Sequence, residues 1–113
     1  MKKSVVLYIT SLILLLWMLP AIGCQVTSIQ SEKHLKNGLA LVLDGEYEEG
    51  IVELNKAIDL DPEYADAYYN RGIAYDKSGE VGKAISDYEK CIELSNDYEL
   101  VEAAQIRLDA ITQ

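Results

Sequence analysis

The chain has 113 residues, half of them hydrophobic, with 10 basic and 19 acidic side chains and a net charge of −9. That length holds one small domain. All the acidic residues lie beyond position 23, so from Cys24 onward eight basic residues face nineteen acidic ones. The resulting net charge of −11 excludes nucleic acid and anionic membrane surfaces as partners of the folded part. The acidic excess reads first as a set of solvated helix faces.

Residues 1–23 read as a segment outside the fold. Lys2 and Lys3 make a short positive start, and residues 5–19 carry no charge and are rich in Leu and Ile. As a helix that run would reach about 22 Å at about 1.5 Å per residue. A bilayer core is about 30 Å thick, so the run has the length of a signal-peptide core. Extended to Gly23 it would reach about 28 Å, and a membrane helix stays open on length alone. Ala21-Ile22-Gly23-Cys24 resembles the lipobox of bacterial lipoproteins, with Ala21 where Leu is usual and Pro20 just before it. The resemblance implies a diacylglyceryl thioether on the Cys24 sulfur, cleavage after Gly23 and acylation of the new amino group. It places the chain at a cell membrane or outer membrane, lipid-anchored and extracytoplasmic. Two or three acyl chains would hold it stably, since each buried CH₂ contributes about 0.8 kcal/mol. An uncleaved N-terminal membrane helix and a plain secreted protein are the alternatives. Residues 24–30, the Cys followed by QVTSIQ, read as a lipidated Cys and a short polar tether.

Four antiparallel helices are predicted next, over 32–44, 47–60, 64–78 and 81–94, with a fifth over 99–112. Val81, Ala84, Ile85, Tyr88, Cys91 and Ile92 recur at steps of three and four, as one helix face requires, and Tyr47, Ile51, Leu54, Ala57 and Ile58 do the same. Gly45 and Gly79 sit where C-cap glycines belong. Asp61-Pro62 reads as an N-cap followed by Pro at the first helical position. Gly38 and Gly72 sit mid-helix, where Gly costs about 1 kcal/mol against Ala, and predict close helix approach. In the fifth helix Val101, Ala104, Leu108 and Ile111 form an apolar stripe opposite Glu102, Gln105 and Asp109, with Asn96 or Asp97 as its cap.

Residues 31–64 and 65–98 align without a gap at a period of 34. Nine positions are identical: Gly38 and Gly72, Ala40 and Ala74, Gly45 and Gly79, Glu46 and Glu80, Ile51 and Ile85, Lys56 and Lys90, Ile58 and Ile92, Leu60 and Leu94, Tyr64 and Tyr98. A fixed period of this size marks a repeat architecture, in which each unit buries its apolar face on its neighbour. The second unit supplies Tyr68, Gly72, Tyr75, Ala84 and Tyr88, and the first supplies His34, Gly38, Leu41, Gly50, Leu54 and Pro62. On these residues the chain resembles the tetratricopeptide repeats, whose pattern runs aromatic, Leu-Gly, Tyr, then Ala, aromatic and Pro. It departs from the pattern at Arg71, where Leu is usual, and at Asn96, where Pro is usual. The resemblance implies an all-α fold, a short right-handed α-solenoid of two repeats closed by a capping helix over 99–113. Two repeats with a cap are fewer than the three usually needed for stability.

No residue pattern points to catalysis, a cofactor or a metal. His34 has no second ligand at i+3 or i+4, and it holds a packing position of the repeat. Cys91 reads as a buried, inert thiol. Gly79-Glu80-Val81-Gly82-Lys83 has the wrong spacing for a phosphate loop. Asp59, Asp61 and Glu63 alternate like a calcium loop, but Tyr64 stands where its Gly is needed. What remains is a surface. The family resemblance implies a concave groove lined by the first helices of successive repeats: Leu35, Lys36 and Leu39, then Tyr69, Asn70, Ile73 and Lys77, then Ala103 and Arg107. Such a groove suits an extended or helical peptide. The reading is therefore a membrane-anchored, non-catalytic adaptor that holds a partner protein or peptide. Self-assembly into a homo-oligomer at the membrane surface is the alternative.

Overall fold

A computed structural model describes residues 2–113, and over 18–22 the backbone only. Within it the chain forms five helices: α1 (Lys2–Asp44), α2 (Tyr47–Leu60), α3 (Ala65–Lys77), α4 (Val81–Leu94) and α5 (Tyr98–Thr112). No strand occurs among the described residues. Successive helices pack as antiparallel neighbours, and α1 also touches α3. The architecture is an all-α solenoid of two helical hairpins, α1–α2 and α3–α4, closed by α5. Met1, and the side chains of Ala21 and Ile22 in the lipobox-like stretch, lie outside the described residues.

The turns inside both hairpins form as the glycines require. Gly45 and Gly79 have φ of 85° and 87°. The amides of Glu46 and Glu80 reach back to the carbonyls of Leu41 and Tyr75 at 2.9 and 2.8 Å. The glycine amides bond the carbonyls of Val42 and Asp76. This is the Schellman pattern, and it satisfies carbonyls that a helix end would leave bare. Asp97 caps α5, its side chain accepting from the Glu99 amide at 2.9 Å.

Two local expectations are corrected. The first helix does not begin at Glu32; it runs unbroken from Lys2, through the residues expected as a tether. Ser and Thr usually weaken a helix by competing for its backbone. Here Thr27, Ser28 and Ser31 spend their hydroxyls on carbonyls three residues back, at 3.0, 2.9 and 3.2 Å, so the helix continues. Asp61 does not cap α3. It follows α2, and its carboxylate accepts from the Glu63 amide at 3.1 Å in a turn of its own. Helix α3 then starts after Tyr64. Residues 5–17 are exposed along α1. Among the described residues no helix is long and apolar enough to cross a membrane.

The core consists of small residues closed around a few large ones. Leu54, Ala57, Ala67, Ala74, Ala84, Tyr88, Cys91 and Ala104 are fully buried. Ala74 packs with Val42 and Leu54, joining the second repeat to the first, and Cys91 packs with Ala65 and Ala104, joining α5 to the second repeat. Burial pushes the Cys91 thiol up to about 11, so it stays protonated and unreactive. The glycines set the helix spacing. A Cβ on Gly38 would lie 2.6 Å from Leu54, and one on Gly72 would lie 2.8 Å from the Tyr88 ring.

Gly72→Ala therefore sets a helix gain of about 1 kcal/mol against an overpacking cost of about 1–3 kcal/mol, because the buried ring cannot withdraw. The urea midpoint is expected to fall. Gly82→Ala is the contrast, since a Cβ there meets nothing within 4 Å, and its midpoint is expected to rise.

Candidate functional site

The residues expected to line the groove separate into a floor and a rim. Leu35 and Ile73 are half-buried and pack on the same cluster of Val42, Leu54 and Ala74. Tyr69 is half-buried against Tyr88, with ring centroids 6.0 Å apart and planes tilted by 53°. The Tyr69 hydroxyl beside Arg107 of α5 holds the guanidinium pKa above its usual value. The structure thus brings Tyr69 and Arg107 together across α3 and α5. Ala103 is half-buried on α5 as well. Lys36, Leu39 and Lys77 are exposed and form the rim. Lys36 pairs with Glu32 at 2.6 Å on its own helix. Asn70 directs one amide N–H to the Asp66 carbonyl at 2.8 Å, one turn back on α3.

Tyr88 lies beneath this floor. Its side chain is fully buried, and its hydroxyl has no hydrogen-bond partner. Burial pushes its pKa up to about 12, with the Arg107 charge opposing the rise.

A polar network outside the groove was not foreseen. The Arg71 guanidinium grips Asp87 with two hydrogen bonds of 2.8 Å and gives a third, of 2.7 Å, to Asn55 of the first repeat. The rings of Tyr68 and Tyr75 lie 5.5 and 5.7 Å from the cation. Asp87 is buried, so the forked pairing compensates a charge that would otherwise be stranded. The signal was the departure itself: Arg where the repeat usually has Leu, with an acid 16 residues on. The corresponding acid of the first repeat is Glu53, 34 residues before Asp87. It accepts from His34 at 2.7 Å and from Lys56 at 2.6 Å. Lys56 first and His34 second pull its carboxyl down to about 2. His34 is thus a hydrogen-bond partner of Glu53 in the helix packing.

Other candidate stretches have structural duties. Gly79 ends α3 and Glu80 precedes α4, while Lys83 pairs with Glu80 and lies 5.1 Å from the Tyr75 ring. Among the described residues no three His, Cys, Asp or Glu side chains are grouped to hold a metal. Cys24 is exposed on α1, seven residues before the buried Ser31.

Comparison with known proteins matches residues 65–98 to the tetratricopeptide repeat family, and residues 38–79 to a second repeat model of the same type. The NADPH oxidase activator of Dictyostelium discoideum is 29% identical over 87 residues, covering 74% of this chain and 14% of that protein. The probable UDP-N-acetylglucosamine–peptide N-acetylglucosaminyltransferase SPINDLY of Oryza sativa subsp. japonica is 42% identical over 53 residues, 47% of this chain and 6% of the transferase. The Hsp70-Hsp90 organizing protein of Triticum aestivum is 34% identical over 64 residues, 57% of this chain and 11% of that protein. The chain therefore spans no more than about a seventh of the length of any of these three.

Arg71→Leu restores the residue usual in the repeat but strands the Asp87 carboxylate. The expected loss is about 3 kcal/mol in chemical denaturation at neutral pH. Adding Asp87→Ala is expected to recover at least half of it. Additive losses would show that the two side chains do not act as a pair.

Proposed function

Residues 38–98 of this chain are tetratricopeptide repeats, and from that premise we propose a non-catalytic adaptor that holds a partner protein or peptide against α1, α3 and α5. One observation carries the reading. The apolar floor and the exposed Leu39 and Lys77 lie on the first helices of the two hairpins, and Arg107 extends that floor onto α5 through Tyr69. An extended or helical peptide would find apolar contact on the floor and hydrogen-bonding or charged groups at its edges. The match to the Hsp70-Hsp90 organizing protein, a protein named for organising others, supports the same class of function.

The adaptor would work at a membrane. Support comes from the apolar run over 5–17, exposed on α1, and from Cys24, exposed and close before the packed part of the helix. Lipid on the Cys24 sulfur and on the new amino group would hold the repeats at the surface of a cell or outer membrane, outside the cytoplasm.

Leu39→Glu with Lys77→Glu alters the rim without entering the core, whereas Ile73 packs on the core and is unsuited to the test. Crosslinking in cells is expected to trap a distinct protein on the wild type and to lose it on this variant, with helicity unchanged by circular dichroism. Capture that survives the double change removes the groove from the account.

Mass spectrometry of the N-terminal peptide tests the anchor separately. A peptide beginning at Cys24 with added acyl mass is expected, and Cys24→Ser is expected to leave residues 1–23 attached. An unmodified Cys24 in the membrane fraction would favour an uncleaved helix.

A further inference from the structure

The two ends of the solenoid are bare in complementary ways. In α3 the face carrying Ala67 and Ala74 is fully buried, and Ala74 packs on Val42 and Leu54 of the first repeat. Thirty-four residues earlier the same positions are Lys33 and Ala40, and both are exposed on α1. They belong to a stripe of Val26, Ile29, Lys33, Lys36, Ala40 and Leu43, spaced by three and four along α1 and exposed throughout. At the other end, α3 is covered by α4 through Arg71 on Asp87, Gly72 against Tyr88 and Tyr75 under Lys83. In α5 the corresponding positions are Gln105, Ile106 and Asp109, all exposed. Ile106 takes the place of the glycine and stands 63% exposed.

We infer that a second copy of this chain covers these faces. The outer stripe of α1 from one copy docks antiparallel on the bare face of α5 from the next. The spacing sets one register: Lys36 opposite Glu99, Lys33 opposite Glu102, and Ile29, itself 68% exposed, against Ile106. The steps are three then four along both helices, so all three pairs meet together. Charge selects the occupant. The α5 face shows Glu99, Glu102 and Asp109, while the α1 stripe places two lysines in a chain of net charge −9. The Glu32 partner of Lys36 is an exposed i,i+4 pair of the kind that contributes little. Because the two faces differ, the contact is heterologous and builds an open row of copies rather than a closed dimer. The row shares Lys36 with the rim of the groove, so the Glu99→Lys/Glu102→Lys variant, which leaves that rim unchanged, is the one that separates it from partner capture.

Sedimentation of the full-length chain in detergent tests the assignment. The wild type is expected to gain mass with concentration in multiples of one chain, and to lose it as salt screens the pairs. Lys33→Glu with Lys36→Glu, and separately Glu99→Lys with Glu102→Lys, are each expected to weaken association at least about tenfold, or about 1.4 kcal/mol. An equal mixture of the two variants is expected to associate as the wild type does, since each basic face then meets an acidic one. Ile106→Lys probes the same contact without touching the paired charges and is expected to weaken it similarly. A wild type that stays a single chain overturns the inference. So does association that survives the Glu99→Lys/Glu102→Lys change, which would place it on α1 against α1 or on the apolar run. Failure of the mixture to associate also overturns it.

Discussion

Tyr88 occupies its place only because Gly72 has no side chain. A Cβ on residue 72 would come within 2.8 Å of the ring, and much of the second repeat depends on that contact. With Tyr88 seated, Tyr69 finds a ring to lie against. With Tyr69 held, its hydroxyl lies beside Arg107 of α5 and raises the guanidinium pKa. A mid-helix glycine, costly by propensity, thus sets the helix spacing on which the core of the second repeat depends. The buried Tyr88 hydroxyl is the debit, since an unpaired buried hydroxyl costs about 1–3 kcal/mol. The ring supplies the apolar area that offsets it.

The Arg71 network does a different task. A buried ion pair adds little net stability compared with apolar residues of the same volume, but breaking it is expensive. Its geometry instead constrains register. The fork of Arg71 must meet both oxygens of Asp87 while its remaining nitrogen reaches Asn55 in the preceding hairpin. A slip of either hairpin would leave a charge without a partner. The first repeat solves the same position more loosely, with Glu53 shared between His34 and Lys56. With only two hairpins to stack, one strict polar contact between them specifies what a longer array would fix by repetition.

Much of this was legible in the residues, because the decisive chemistry is local. Gly45 and Gly79 announce the two Schellman turns, and the 34-residue period places equivalent side chains on equivalent faces. The stripe of Val101, Ala104, Leu108 and Ile111 turned inward, half-buried or buried, with Glu102, Gln105 and Asp109 outside. Less local features escaped. Whether Thr27, Ser28 and Ser31 end a helix or continue it depends on where their hydroxyls point. The capping reading of Asp61 failed because its carboxylate found the Glu63 amide within the turn. The Arg71 fork joins three helices, so only the fold reveals it.

The continuity of α1 changes how an anchor near Cys24 would act. Ser31 lies seven residues beyond Cys24 along unbroken helix, about 10 Å at about 1.5 Å per residue. A polar coil of that length would let the repeats turn freely. A helix instead would fix their direction relative to Cys24, since Leu35 and Val42 of the same helix are set in the core. Lipid at Cys24 would then orient the groove as well as localise it. The exposed α1 stripe begins two residues beyond that cysteine, at Val26, so a neighbour docked along α1 would lie beside the anchor. Anchoring and lateral association would therefore be two uses of one helix, divided between its end and its side.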